Sequence, residues 1–157
     1  MAVETGAQSL PDGIQISRAI LRDLYGIFAV ENGSFPKPWS LDTLRQEFEH
    51  ALSRMFVCRN GDEVLGYICG WQVADEIHLM KIAVLSDWRR RGLGSALMEK
   101  MLASAHEQGA TSIHLEVRDS NIDAIKFYEK HGFEVLGKRK GYYRDSCEDA
   151  LLMWRKI

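Results

Sequence analysis

Arg89-Arg90-Arg91-Gly92-Leu93-Gly94 separates two apolar stretches of different period. Ile77 to Leu85, before it, reads as a strand. After it Leu93, Leu97 and Met101 recur every fourth residue, which is one face of a helix running to about Gln108, with Gly109 as its stop. A strand-to-helix turn with three arginines and two glycines can aim several backbone N–H groups at an anion. The positive end of the helix dipole adds to them, so a phosphate or pyrophosphate suits the turn. The spacing is neither the Gly-x-Gly-x-x-Gly of a dinucleotide fold nor the Gly-Lys-Ser/Thr of a P-loop. It is Arg-x-x-Gly-x-Gly, which alone could equally be a basic helix start after a tight turn.

Upstream, Met55 to Arg59 and Val64 to Val73 are β-rich runs separated by Asn60-Gly61-Asp62, a hairpin signal. Asp75-Glu76 turns the chain again, so three strands form a meander. Before them come a strand from Ile14 to Ile20 and a helix from Leu21 to Val30. The loop Phe35-Pro36-Lys37-Pro38-Trp39-Ser40 follows, because its prolines forbid regular hydrogen bonding. Ser40 is placed to cap a helix from Leu41 to about Leu52. Downstream, Ser112 to Arg118 alternates strictly, with Ile113, Leu115 and Val117 on one face and His114, Glu116 and Arg118 on the other. Asp119-Ser120-Asn121 opens a short helix, Ile122 to His131, stopped by Gly132. Phe133 to Gly137 reads as a strand, Tyr142 to Asp145 as a loop and Ala150 to Arg155 as a last strand. The order β-α-α-β-β-β-α-β-α-β-β predicts an α/β fold, with helices on both faces of a mixed, mostly antiparallel sheet.

With 157 residues, 46% of them apolar, the chain is expected to form one domain over 14–157 behind a flexible leader, 1–13. That leader has no basic start and no apolar stretch, unlike a signal peptide. Twenty basic and 22 acidic residues argue against broad nucleic-acid binding. No run approaches a membrane span of ~20 apolar residues. Cys58, Cys69 and Cys147 show no Cys-x-x-Cys spacing and the five histidines no His-x-x-x-His pair, so neither disulfides nor a metal site is indicated. A cytoplasmic protein with no nucleic-acid or membrane partner is expected.

The element order and the Arg-x-x-Gly-x-Gly loop together resemble the GNAT superfamily of N-acetyltransferases, over nearly the whole chain from Ile14. A closer likeness runs through Ile82-Ala83-Val84, Leu115-Glu116-Val117-Arg118, Asn121, Phe127-Tyr128 and Gly132-Phe133. It ends at Tyr142-Tyr143 and Glu148-Asp149-Ala150. These segments are similar to the bacterial ribosomal-protein-alanine N-acetyltransferases, whose acceptor is a protein N-terminus. The chain departs from that group at Lys37-Pro38, two extra residues inside its Phe-Pro-Trp-Ser pattern.

The resemblance implies acetyl-CoA as co-substrate and no metal. Ile82, Ala83 and Val84 would pair their backbone with the pantetheine arm; a plain buried strand would look the same in sequence. Arg90, Arg91, Gly92, Leu93, Gly94 and Ser95 would hold the pyrophosphate. Asn121 would bond the CoA arm, cap its helix, or do both. Glu116 would be the general base and Tyr128 the acid that protonates the departing thiolate. Their plainer alternatives are a solvated carboxylate and a packing tyrosine. Phe35 and Trp39 would wall one side of the acceptor groove, with core packing an equally good account of them, and Tyr142 and Tyr143 would cover the other, where plain exposed turn aromatics would read the same. No cysteine has a nucleophile's setting, so direct attack in a ternary complex is expected. The expected partner is a protein or peptide N-terminus, such as that of a ribosomal protein. A lysine side chain or small amine, or a non-catalytic acyl-CoA-binding module, remains open.

Overall fold

The computed structural model describes residues 9–157; residues 1–8 of the expected leader lie outside that range. The elements follow the anticipated order. Strand β1 is Ile14–Arg18, helix α1 Leu24–Ser34 and helix α2 Leu41–Glu49. Strands β2 (Ser53–Asn60), β3 (Glu63–Val73) and β4 (Glu76–Val84) come next, then helix α3, Leu93–Glu107. Strand β5 (Ser112–Arg118), helix α4 (Ile122–Lys130), strand β6 (Glu134–Tyr143) and strand β7 (Glu148–Lys156) complete the chain. The strands make one sheet in the order β1-β2-β3-β4-β5-β7-β6. β1 runs antiparallel to β2, and β7 antiparallel to both β5 and β6, whereas β4 and β5 are parallel. The sheet is therefore mixed, as the sequence pattern predicted.

Local chemistry accounts for the boundaries. Ser40 Oγ accepts the Thr43 N–H at 3.1 Å and starts α2. The helix expected from Leu21 begins instead with a 3-10 turn, Leu21–Asp23, because buried Asp23 accepts the Ile20 N–H at 2.9 Å and an Arg59 N–H at 2.8 Å. Gly109 and Gly132 follow α3 and α4 at φ 81° and 83°, as their stop role requires.

The C-terminal hairpin corrects the sequence reading. Tyr142 and Tyr143 are not in a loop: they end β6, which runs six residues beyond Gly137. Lys138-Arg139-Lys140 has no apolar alternation to mark a strand, and register shifts at Val135/Gly137 and Arg139/Tyr143 break its period. β6 lies at the edge of the sheet, where charged side chains are accommodated in solvent.

The chain divides into two compact units, each discontinuous in sequence. One comprises residues up to His50, Met55–Ile68 and Ile82–Lys100. Its core includes Ile27, Val30, Leu44, Val57, Leu65, Tyr67 and Leu97, all fully buried. Gly66 permits close approach there: a Cβ on it would lie 2.7 Å from the Ala83 carbonyl oxygen. Gly66→Ala should therefore cost about 1–3 kcal/mol through overpacking. Thermal melting should show a fall of about 2–10 °C; an unchanged midpoint would mean that the two strands separate freely. The other unit comprises Ala51–Arg54, Cys69–Lys81 and Met101–Ile157, with Ile77, Met101, Ala105, Ile113, Leu115 and Met153 in its core. Among the described residues no helix is long and apolar enough to cross a membrane.

Candidate active site

In the first unit, the turn before α3 is held from behind by its own side chains. Arg89 Nε donates to the Val84 carbonyl at 2.9 Å, and the Arg91 guanidinium lies 4.9 Å from the centre of the Trp88 ring. Arg90 at φ 61° and Gly92 at φ 85° are both left-handed. For arginine that conformation costs about 1–2 kcal/mol. Strain of this kind persists where surrounding structure imposes it and gathers at functional turns. Leu93 is buried and can offer a ligand only its main chain, while Gly94 and Ser95 are half-buried in the first turn of α3. The arrangement retains what an anion cradle needs: a helix start, a bent glycine-containing turn and nearby arginine charge. Ile82, Ala83 and Val84 end the strand that feeds it.

The loop Phe35–Ser40 belongs to the same unit and is fixed by a residue of α1 that the sequence reading did not single out. Glu31 is fully buried. One carboxylate oxygen accepts the Trp39 N–H at 2.7 Å, and the other accepts the Tyr67 hydroxyl. Phe35 and Trp39 are half-buried on this loop.

In the second unit, β5 carries the polar face that its alternation predicted: Ile113, Leu115 and Val117 are buried, while His114, Glu116 and Arg118 are partly exposed. The parallel pairing recorded with β4 covers Glu76–His78 against Ser112–His114, and β7 flanks β5 along its whole length. Glu116 lies just beyond the three-residue parallel stretch. Its Oε2 is 2.6 Å from His78 Nε2, and its Oε1 is 3.9 Å from an Arg139 guanidinium nitrogen. The His78 hydrogen bond holds the Glu116 carboxyl below its ordinary range; burial opposes the shift, and the charges of His78 and Arg139 reinforce it. His114 stacks on His78 with ring centres 4.8 Å apart, and burial lowers its pKa.

His78 was not among the expected site residues. Its partner is 38 positions away, and only the parallel register of β4 and β5 sets His78 opposite His114. The one sequence signal was its place beside Glu76 and Met80 on the polar alternation of Glu76–Met80.

Tyr128 packs edge-on against Phe127 and Phe133, with ring centres 5.6 Å apart in each case. Burial, then the proximity of Tyr143, push its hydroxyl well above the ordinary phenol range, so it keeps its proton through neutral and alkaline pH. Tyr143 is likewise raised, first by burial; Arg118 opposes the shift, whereas Tyr142, Glu116 and Glu148 add to it. Thus Glu116, Tyr143 and Tyr128 form a chain of electrostatic neighbours. Asn121 caps α4, its Oδ1 accepting the Ala124 N–H at 3.3 Å. Cys58 and Cys69 are buried, and burial pushes the Cys58 thiol up to about 12, so Cys58 is no thiolate nucleophile.

The sequence matches the acetyltransferase (GNAT) family over residues 24–133. The ribosomal protein bS18-alanine N-acetyltransferase of Escherichia coli (strain K12) is 34% identical over 140 residues, which cover 88% of this chain and 94% of that one. The crystal structure of the ribosomal-protein-S18-alanine N-acetyltransferase from Escherichia coli superposes with a TM-score of 0.84 at 32% identity, covering 92% of this chain and 94% of the other. An N-alpha-acetyltransferase of Saccharolobus solfataricus (strain ATCC 35092 / DSM 1617 / JCM 11322 / P2) is 44% identical over 81 residues, 51% of this chain and 48% of its own length. With the family match spanning well over half its length, the chain belongs to the acetyltransferase (GNAT) family of acetyl-transferring enzymes.

Proposed function

We propose that the protein moves an acetyl group from acetyl-CoA to the α-amine of a protein N-terminus, of the kind offered by a ribosomal protein that begins with alanine. The observation that carries this reading is the His78–Glu116 pair at 2.6 Å, on the polar face of β5. Acetyl-CoA supplies the activated acyl group. The backbone of Ile82–Val84 would hold its pantetheine arm. The turn from Arg90 to Ser95 would take its pyrophosphate, and Asn121, which caps α4, would add a contact. Glu116 receives the proton shed by the acceptor amine, directly or through water, with His78 orienting the carboxylate. Its lowered pKa keeps it ionised at neutral pH. A weak base suffices, because nitrogen becomes strongly acidic once it bonds to the carbonyl carbon. Tyr128 holds a proton for the departing thiolate.

The acceptor assignment draws on the names of the relatives and on the chemistry of the base. An α-amine has a reference pKa of ~7.7–8.0 against ~10.4 for lysine, so neutralising lysine costs about 3–4 kcal/mol more at neutral pH. The likeness to those relatives assigns Phe35, Trp39, Tyr142 and Tyr143 to acceptor binding. A cytosolic setting is part of this reading, and Cys58 and Cys69, buried and in no disulfide, suit a reducing compartment.

A short peptide beginning with alanine should be acetylated on its free N-terminus, as located by mass spectrometry. The same peptide with a blocked N-terminus and an internal lysine should react little. Serine, methionine and glycine starts should be compared with alanine, because Lys37-Pro38 extends the loop beside the acceptor. Tyr142→Phe and Tyr143→Phe should each raise peptide KM about 2–10-fold, the worth of one hydroxyl hydrogen bond, and leave acetyl-CoA binding unchanged. Acetyl found chiefly on lysine or on polyamines would defeat the N-terminal reading and leave the acetyltransferase assignment standing.

A further inference from the structure

Arg118 ends β5 two residues after Glu116 and on the same face, yet its side chain serves the following hairpin. Its guanidinium forks onto Asp145, with N–O distances of 3.0 and 3.2 Å, and donates to Ser146 Oγ at 2.7 Å. Glu148 Oε1 lies 4.0 Å away. The same planar group covers the Tyr143 ring, 4.0 Å from its centre, and Tyr143 meets Tyr142 edge-on at 5.1 Å. Around it, Ser120 Oγ donates to Glu148 at 2.5 Å, and the Asp119 N–H donates to the Asp149 carbonyl at 3.1 Å.

We propose that Arg118 is a positioning residue for the acceptor. It fixes the Tyr142–Tyr143 end of β6 against the strand that carries Glu116, and so sets the affinity for the incoming peptide. The inference rests on the acceptor reading above. Two features single out this arginine. Its fork and its flat face are used together, one on the β6–β7 turn and one on Tyr143; lysine can reproduce the charge but neither geometry. In addition, the Tyr143 hydroxyl feels the charge of Glu116 and acts on the hydroxyl of Tyr128, so the ring that Arg118 holds is coupled to both.

The test is steady-state kinetics with an alanine-start peptide on the wild type, Arg118→Lys, Asp145→Asn and the double variant. Arg118→Lys should raise peptide KM about tenfold and Asp145→Asn about threefold or more. Acetyl-CoA KM should stay within about twofold, and kcat should fall less than KM rises. The double variant should be no worse than Arg118→Lys, since both substitutions break one linkage. Asp145→Asn leaves β5 untouched and decides the matter if Arg118→Lys folds poorly. Unchanged peptide KM in Asp145→Asn and in folded Arg118→Lys would overturn the proposal, as would equal rises in both substrates' KM. Failure of the wild type to acetylate any free α-amine would instead defeat the acceptor reading, and this inference with it.

Discussion

Replacing Glu116 with Gln is expected to lower kcat about 10²–10⁴-fold at neutral pH, the usual worth of a positioned general base. Glutamine keeps the shape and can still accept from His78, but it cannot take the amine proton. Acetyl-CoA affinity should hardly move. The deficit should narrow as pH rises, because hydroxide can then take the proton from the acylated nitrogen in place of the carboxylate. A stability measurement supplies the sign check. Glu116 has a folded-state pKa below its ordinary value, so its contribution is present above the unfolded carboxylate range. It is lost as pH falls through the lowered folded value. Melting temperature should therefore fall less steeply in acid for Glu116→Gln than for the wild type. A wild-type rate at neutral pH would leave Glu116 as a structural hydrogen-bond partner of His78.

Gly94→Val should weaken acetyl-CoA binding about 10²–10⁴-fold. The first turn of α3 can offer a phosphate only if ligand and backbone approach closely, and a β-branched side chain there obstructs that approach. Losing two charge-assisted hydrogen bonds at about 1.5–3 kcal/mol each gives this range. Valine has a better helix propensity than glycine, so fraying of α3 would not explain the loss. Calorimetry on the folded variant is the readout, and normal affinity would remove the turn from the binding site.

How far the sequence could be read depended on the range of the forces involved. The polar face of β5 was visible in its alternation, and the Ser40 cap is a contact three residues long. Both are local. The His78–Glu116 bond spans 38 residues and the Arg118–Asp145 fork 27, so neither leaves a periodic trace. Glu31 lies in a helix where a charge ordinarily faces water; its partners Trp39 and Tyr67, 8 and 36 residues distant, supply hydrogen bonds that its burial requires. The β6 error has the same root. An edge strand with bulges and three consecutive cations is specified by its pairing with β7 and lacks a hydrophobic pattern of its own.

Glu31 also separates the architecture of the Phe35–Ser40 loop from its vocabulary. The carboxylate grips the chain at Trp39 from inside, whereas Pro36 and Lys37 are exposed. An exchange at 36 or 37 therefore acts on the outer stretch of the loop, while the buried contact at Trp39 keeps its far end in place. A designer could vary those two positions and use the Glu31 grip as the fixed point of the search.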